Sequence, residues 1–334
     1  MRIAIDAMGG DHAPDVIVQG AIEAAKEWTD TDIILVGDQA KIEPLISSMP
    51  SNIAIVHASE MIEPDDEPVK AVRRKKDSSM VVAGRMVKER EADAFISAGN
   101  TGALMTTALL VVGRMKGIER PALAPMIPTL DGQGVLALDL GANMDASAEH
   151  LVQYAIMGSI YRNKVHGIER PRVGLLNVGT EAMKGNELTK AAFPMLEKAP
   201  IRFVGNVESR DILQAGCDVI VCDGFAGNIM LKSLEGAATT IFTALRTELT
   251  RTWLTKLAGA IVRPGLRAFR DKFDYTEHGA APLLGIDGLV LKSHGSSNAR
   301  AVKNAVRQAR IALKNDLVRS ISLEIQSGSE SVNT

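Results

Sequence analysis

Eight short apolar runs, each dense in Ile, Val and Leu, punctuate this chain and limit what it can become. They fall at Ile3–Asp6, Asp32–Val36, Asn52–His57, Ala94–Ser97, Val135–Asp139, Val173–Val178, Ile201–Val204 and Val219–Cys222. None shows the polar alternation of a half-exposed strand, so each reads as a strand covered on both faces. Longer helical patterns lie between them, at 15–28, 79–91, 102–115, 147–162, 186–198 and 226–250. Asp15, just after Pro14, is a helix-start signal. Strand–helix alternation of this kind predicts an α/β fold on one mostly parallel, doubly wound sheet. Such sheets take ligands beyond the carboxyl ends of their strands.

Composition excludes several classes. Lys plus Arg number 38 against 40 Asp plus Glu, so the formal charge of −2 gives no global pull toward nucleic acid. Aromatic residues are only 4%, which leaves an aliphatic core. Cys217 and Cys222 are the only cysteines, too few for a disulfide scaffold or a four-cysteine zinc site. Cys222 ends an apolar run and reads as a buried strand cysteine or a reactive thiol in the following loop. Arg2 and Asp6 flank three apolar residues, which is no signal peptide. The longest uncharged stretch, Ala94 to Gly113, is 20 residues. That length suits a membrane span, but Ser97, Asn100, Thr101, Thr106 and Thr107 interrupt it, so a strand, a turn and a helix explain it better. The chain is expected to be soluble and cytoplasmic.

The informative loops follow the strands. They are Asp6–His12, Ser97–Gly102, Asp139–Asn143, Asn177–Asn186 and Cys222–Asn228, with Lys292–Asn298 before the last helix. Glycines let backbone N–H groups approach an anion, and helix N-termini favour negative charge. Six such loops, each with Asn or Asp, point to one shared anion site. Asp6, Asp139 and Asp223 end strands, where they can orient cations or cap helices. No G-x-G-x-x-G, P-loop, G-x-S-x-G or H-E-x-x-H pattern occurs.

At these loops the chain strongly resembles the bacterial phosphate acyltransferases of phospholipid synthesis, the PlsX family. The matching stretches are Ile3-Ala-Ile-Asp-Ala-Met-Gly-Gly-Asp11, Ile96-Ser-Ala-Gly-Asn-Thr-Gly-Ala-Leu-Met105 and Leu138-Asp-Leu-Gly-Ala-Asn143. Leu176-Asn-Val-Gly-Thr-Glu181, Lys184-Gly-Asn-Glu-Leu188 and Val221-Cys-Asp-Gly-Phe-Ala-Gly-Asn228 follow. Ala281-Pro-Leu-Leu-Gly285 and Lys292-Ser-His-Gly-Ser-Ser-Asn298 complete the set, which runs from residue 1 to about 315. The resemblance implies transfer of a long-chain acyl group from the thioester of acyl carrier protein to inorganic phosphate. An acyltransferase then passes the acyl phosphate to glycerol 3-phosphate. It also implies a homodimer, and a fold similar to isocitrate and isopropylmalate dehydrogenases and to phosphotransacetylases.

That reaction needs no protein nucleophile, because phosphate itself attacks the thioester. The phosphate-binding candidates are Gly9, Gly10, Asn100, Thr101 and Lys184. Asn143, Asn177 and Asn228 are candidate oxyanion or thioester donors, although each also suits loop capping. His12 and His294 could assist thiolate departure or orient phosphate. No metal and no cofactor is expected.

Residues 246–275 break the alternation. Leu249, Trp253, Leu257 and Ile261 share a helical face, Pro264-Gly265 predicts a turn, and Leu266, Phe269 and Phe273 resume the pattern. From Arg251 to Lys272, six Lys or Arg face one Asp. The segment reads as a protruding amphipathic hairpin. Trp253, Leu257, Ile261, Val262, Leu266, Arg263 and Arg267 would meet an anionic membrane surface, an acidic carrier or a second subunit. Peripheral membrane attachment would place the product beside a downstream membrane acyltransferase. A second charged tract, Glu60–Glu67 followed by Lys70–Lys76, is either a solvated loop and helix or a docking site for an acidic partner. The expected division is one catalytic α/β unit at 1–245 and 276–325, the hairpin at 246–275, and a frayed tail at 326–334. Two rival functions fit the same pattern: a metal- and NAD(P)-dependent decarboxylating dehydrogenase, and a non-catalytic membrane-recruited scaffold.

Overall fold

The computed structural model describes residues 1–272 and 279–331. The predicted apolar runs all become strands, but they form two sheets rather than one. Strands β1 (Arg2–Asp6), β2 (Asp32–Gly37), β3 (Ile53–His57), β4 (Ala94–Ser97) and β5 (Ala122–Leu123) belong to the first. Strands β6 (Met126–Ile127), β7 (Val135–Leu138), β8 (Arg172–Asn177), β9 (Arg202–Glu208) and β10 (Val219–Val221) form the second. The chain then returns to the first with β11 (Ala281–Leu284) and β12 (Leu289–Lys292). The orders are β3-β2-β1-β4-β12-β11-β5 and β6-β7-β10-β8-β9. Pairing is parallel except where β11 meets β12 and β5, and where β6 meets β7.

The crossing between sheets happens at Ala124-Pro125. The Ala124 N–H donates to Pro282 O in the first sheet, and Pro125 O accepts from Ala137 in the second. Two residues thus divide strands that look identical as apolar runs.

The helices are α1 (Asp15–Glu27), α2 (Gln39–Ile42), α3 (Pro68–Arg74), α4 (Ser79–Lys88), α5 (Thr101–Thr107), α6 (Ala148–His166), α7 (Glu187–Lys198), α8 (Gly224–Leu249), α9 (Trp253–Lys272), α10 (Ala299–Lys314) and α11 (Leu317–Ser331). Helix α5 runs on into a π-helical turn at 108–112. Helix α6 starts at a reciprocal Ser147–His150 capping box and stops at Gly167 in the left-handed region. Its Gly158 lies so close to the second sheet that a Cβ would meet Val219 at 2.7 Å and Leu138 at 2.8 Å. Gly20 brings α1 equally close to α10. Tyr161 of α6 accepts from Gln308 of α10, which in turn accepts from Ala280 N, tying the helix layer to both sheets.

Three expectations need correction. Pro264 does not end a helix: α9 runs through it, and the turn lies at 250–252. Proline removes one helical N–H and frees a carbonyl, which an exposed helix can leave to water. Thr252 and Thr255 bond each other's backbone N–H groups and start α9. The pair therefore consists of α8 and α9, with Phe242 and Phe269 rings 6.1 Å apart. Phe273 and positions 273–275 lie outside the described residues. The tail expected to fray from 326 is instead helical to Ser331, because Ile321 and Ile325 of α11 are buried; positions 332–334 lie outside the described residues. Finally, Lys75 is not free for a partner. It pairs with Asp66 at 2.5 Å, joining the basic tract to the acidic one.

Candidate active site

Strands β1, β4 and β12 are adjacent and parallel, so Asp6, Ser97 and Lys292 emerge side by side at one edge. Asp6 is buried and accepts hydrogen bonds from Ser79 Oγ and Ser97 Oγ, both at 2.6 Å, and from Met8 N at 3.2 Å. Burial raises its carboxyl above the ordinary range, and these bonds oppose the rise. Gly9 sits directly over it: a Cβ there would lie 2.5 Å from Asp6 Oδ2 and 2.8 Å from Gly99 N. Gly10 has φ +118°, a conformation that favours glycine. The three loops are stitched together by Asp11 N to Gly295 O and Ser293 N to Ser97 O. The Lys292 ammonium donates to Ala98 O at 3.4 Å and to Ser293 O.

A second edge forms where β7, β10 and β8 run parallel. Asp139 folds its own loop by accepting from Ala142 N, Asn143 N and Asn143 Nδ2. Burial raises this carboxyl too. Helix α8 starts hard against the loop. Asp223 caps it, and a Cβ on Gly227 would meet Asp139 O at 2.1 Å. The Asn228 side chain lies against Gly141. Asn177 accepts from Val178 N and donates to Lys184 O, which fixes the backbone of the 178–186 loop while leaving Lys184 itself exposed.

The predicted site residues therefore divide. Gly9, Gly10, Asn100, Thr101, His12 and His294 lie at the first edge, and Asn143, Asn177, Asn228 and Lys184 at the second. Three asparagine amides are occupied by the scaffold. Asn100 caps α5 and donates to Pro64 O and Asp66 O, Asn143 donates to Pro121 O, and Asn177 holds its loop. His12 is exposed. His294 Nδ1 lies 2.8 Å from Ser296 Oγ. Burial lowers its pKa first and Lys292 second, against Glu235 and Asp11. Glu235 and Lys232 belong to α8, so the helix leaving the second edge lies close to the first. A cavity of about 160 Å³, lined by residues including Met105, Leu109, Arg120, Pro121 and Asn143, also spans α5 and the 139–143 loop. Among the described residues, no group of three or more His, Cys, Asp or Glu is placed to hold a metal ion.

Neither cysteine is poised to react. Both are buried; burial pushes the Cys217 thiol up to about 12 and raises Cys222 as well. Cys222 Sγ donates to Asp139 O. The double variant Cys217→Ala/Cys222→Ser should keep at least half of wild-type turnover. Mass spectrometry that trapped an acyl-cysteine would reverse this expectation.

Comparison with known proteins settles the family. Residues 1–320 match the family described as Fatty acid synthesis protein. A phosphate acyltransferase of Brevibacillus brevis is 58% identical over 98% of this chain and 98% of its own. The chain belongs to this phosphate acyltransferase family. A phosphate acyltransferase of Bacillus cereus is 56% identical over 96% of this chain and 97% of its own. Among solved structures, a phosphotransacetylase from Streptococcus pyogenes aligns over 94% of both chains with a TM-score of 0.59 at 16% identity. A branched-chain phosphotransacylase from Enterococcus faecalis aligns over 93% of this chain and 98% of its own, with a TM-score of 0.56 at 13% identity. Those two likenesses concern the fold. The chain is an α/β enzyme of this family with two mostly parallel sheets.

Sequence reasoning missed two features of the site. Lys292 was legible only as part of a loop, although a lysine closing the apolar run Leu289-Val-Leu was a signal. The burial of Asp6 beneath Gly9 depends on Ser79 and Ser97, which are distant in sequence.

Proposed function

We propose that this enzyme transfers a long-chain acyl group from the thioester of acyl carrier protein to inorganic phosphate, forming acyl phosphate for phospholipid synthesis. The observation that carries this reading is the pair of strand edges rich in glycine, N–H donors and lysine, brought close by α8, whose Glu235 and Lys232 act on His294, beside thiols kept buried and protonated. A phosphate oxygen forms a bond to the thioester carbon. The tetrahedral oxyanion collapses, the C–S bond breaks, and its electron pair leaves on sulfur as thiolate. Holding phosphate in line is proximity catalysis. Donors such as the Asn228 amide would stabilise the oxyanion, worth roughly 3–4 kcal/mol per donor elsewhere. A leaving thiol with a pKa near 8.5 needs little further help. Exposed Val178, Met183, Phe225 and Ile229 around the second edge suit a long acyl chain.

The same reading makes the two-sheet body a relative of the isocitrate and isopropylmalate dehydrogenase fold. It takes residues 1–245 and 276–325 as the catalytic unit and treats α8 and α9 as a projecting hairpin. The enzyme would act as a homodimer in the cytoplasm, attached peripherally to membrane near the acyltransferase that consumes its product. Exposed Arg73, Arg74 and Lys76 offer an acidic carrier a docking charge.

Lys184 tests the proposal. Its loop backbone is held by Asn177 and its ammonium is exposed, so Lys184→Ala should fold normally. Turnover of acyl carrier protein with phosphate should fall at least tenfold, read as free carrier thiol. Wild-type turnover with an unchanged phosphate dependence would remove Lys184 from the site.

A further inference from the structure

Lys292 is a buried cation with no paired anion among the described residues. Its side chain ends among the loops that follow β1, β4 and β12. Two of its contacts are the carbonyl oxygens of Ala98 and Ser293. An ammonium has three N–H donors, so one remains. Asp6 is close enough to act on its charge, yet both Asp6 oxygens are taken by Ser79 and Ser97. Among the described residues, no carboxylate lies within ion-pair distance of Lys292. Burying a charge without a partner is costly. Burial pulls the ammonium down to about 8, against the opposing effect of Asp6 and Asp11.

The neighbouring loop repeats the pattern. Ser293 and Ser297 are 1% and 2% exposed, and neither Oγ has a hydrogen-bond partner. Buried polar atoms are rarely left so. Ser297 directly precedes Asn298, the cap of the 16-residue helix α10. Gly10 and Gly295 let the first and third loops approach each other closely. A Cβ on Gly10 would stand 3.2 Å from Gly295 O, and one on Gly295 would stand 3.0 Å from Asp11 Oδ1.

We propose that Lys292, Ser293 and Ser297 form the seat of the phosphate substrate. One dianion would supply the missing countercharge and accept from both orphaned hydroxyls. The proposal rests on the phosphate acyltransferase reading and deepens it, since it places the nucleophile at the first edge and leaves the second to the acyl donor. Asp6 then acts as a positioning residue, holding β1, β4 and α4 in register beneath the seat.

The test measures thermal unfolding with and without inorganic phosphate, and steady-state kinetics varying phosphate and acyl donor separately. Phosphate should raise the unfolding temperature of the wild type, and Lys292→Met should abolish that rise. In Lys292→Met the phosphate KM should increase at least tenfold, while the donor KM stays within twofold. Ser297→Ala keeps the test decisive should Lys292→Met fail to fold. Removing an unpartnered buried hydroxyl should leave the phosphate-free protein as stable as wild type or more so, while the phosphate KM rises several-fold. A purely structural serine would not separate the two readouts. A phosphate KM unchanged in both variants would overturn the assignment. So would a rise confined to the donor KM, which would mean that the seat holds a phosphate group of the donor. If wild type binds phosphate but turns over no acyl donor, the functional reading fails and the seat stands. If wild type turns over and the phosphate KM is unchanged in every variant that folds, the reverse holds.

Discussion

Gly9→Ala is expected to reduce kcat/KM about a hundredfold, the scale of loss that a misplacement of about 1 Å can produce. The added methyl would stand 2.5 Å from Asp6 Oδ2 and 2.8 Å from Gly99 N. Neither neighbour can yield cheaply. Asp6 is fully buried and held by two serine hydroxyls and a backbone N–H, and Gly99 N is main chain already bonded to Ser97 Oγ. Overpacking of this kind costs about 1–3 kcal/mol. The strain falls on the loops after β1 and β4 together, so the proposed anion seat should move with it. Gly10→Ala is the control for backbone strain: its Cβ has more room, at 3.1 Å from Ala98 Cβ, but its φ of +118° is unfavourable to alanine. Denaturant unfolding and kinetics on both variants separate packing from strain. Wild-type kcat/KM in Gly9→Ala would show that the loop can relax and that Asp6 does not set the site.

The same residues show what could be read in advance. Strands buried on both faces announce themselves through unbroken apolar runs, and β1, β2, β4, β7 and β10 match their runs to within a residue or so. Sheet membership does not announce itself, because a buried strand looks alike in either sheet. The two-residue strands β5 and β6, which carry the chain from one to the other, are too short for any periodicity. Strands β11 and β12 have four residues each, and β11 contains a proline, so they read as loop. Within the site, glycine-rich loops after strands were visible as a class. The division of labour among the asparagines was not, since capping and catalysis call for the same amide. Asn100 and Asn143 are held by backbone groups of residues that only the fold brings near.

Replacing Leu257 and Ile261 of α9 with glutamate should lower sedimentation with anionic vesicles more than tenfold. Trp253, Leu254, Leu257 and Ile261 are 73%, 59%, 59% and 74% exposed, and none of the α9 side chains described is buried. Ile241 and Leu245 of α8 are also exposed. An apolar surface of this extent on a water-facing helix pair calls for a covering surface. Full burial of one such side chain is worth about 1.5–3 kcal/mol, and less at a shallow interface. Exposed Arg251, Lys256 and Arg263 could each add about 1 kcal/mol on an anionic leaflet; the side chain of Arg267 lies outside the described residues. Leu266 is only half-buried and lies farther along the helix, so it would contribute less. No helix among the described residues is long and apolar enough to cross a membrane, so attachment would have to be peripheral and reversible. Both substituted positions lie on α9, away from the two strand edges, so turnover of a carrier-free acyl thioester should be unchanged. Raising salt should weaken wild-type binding, because charges are screened over about 8–10 Å at physiological ionic strength. Wild-type protein that stays in the supernatant with anionic vesicles at low salt would end the membrane reading. Monomerisation by the same double variant would then give the face to a second subunit, whereas a raised KM for carrier-bound donor alone would give it to the carrier.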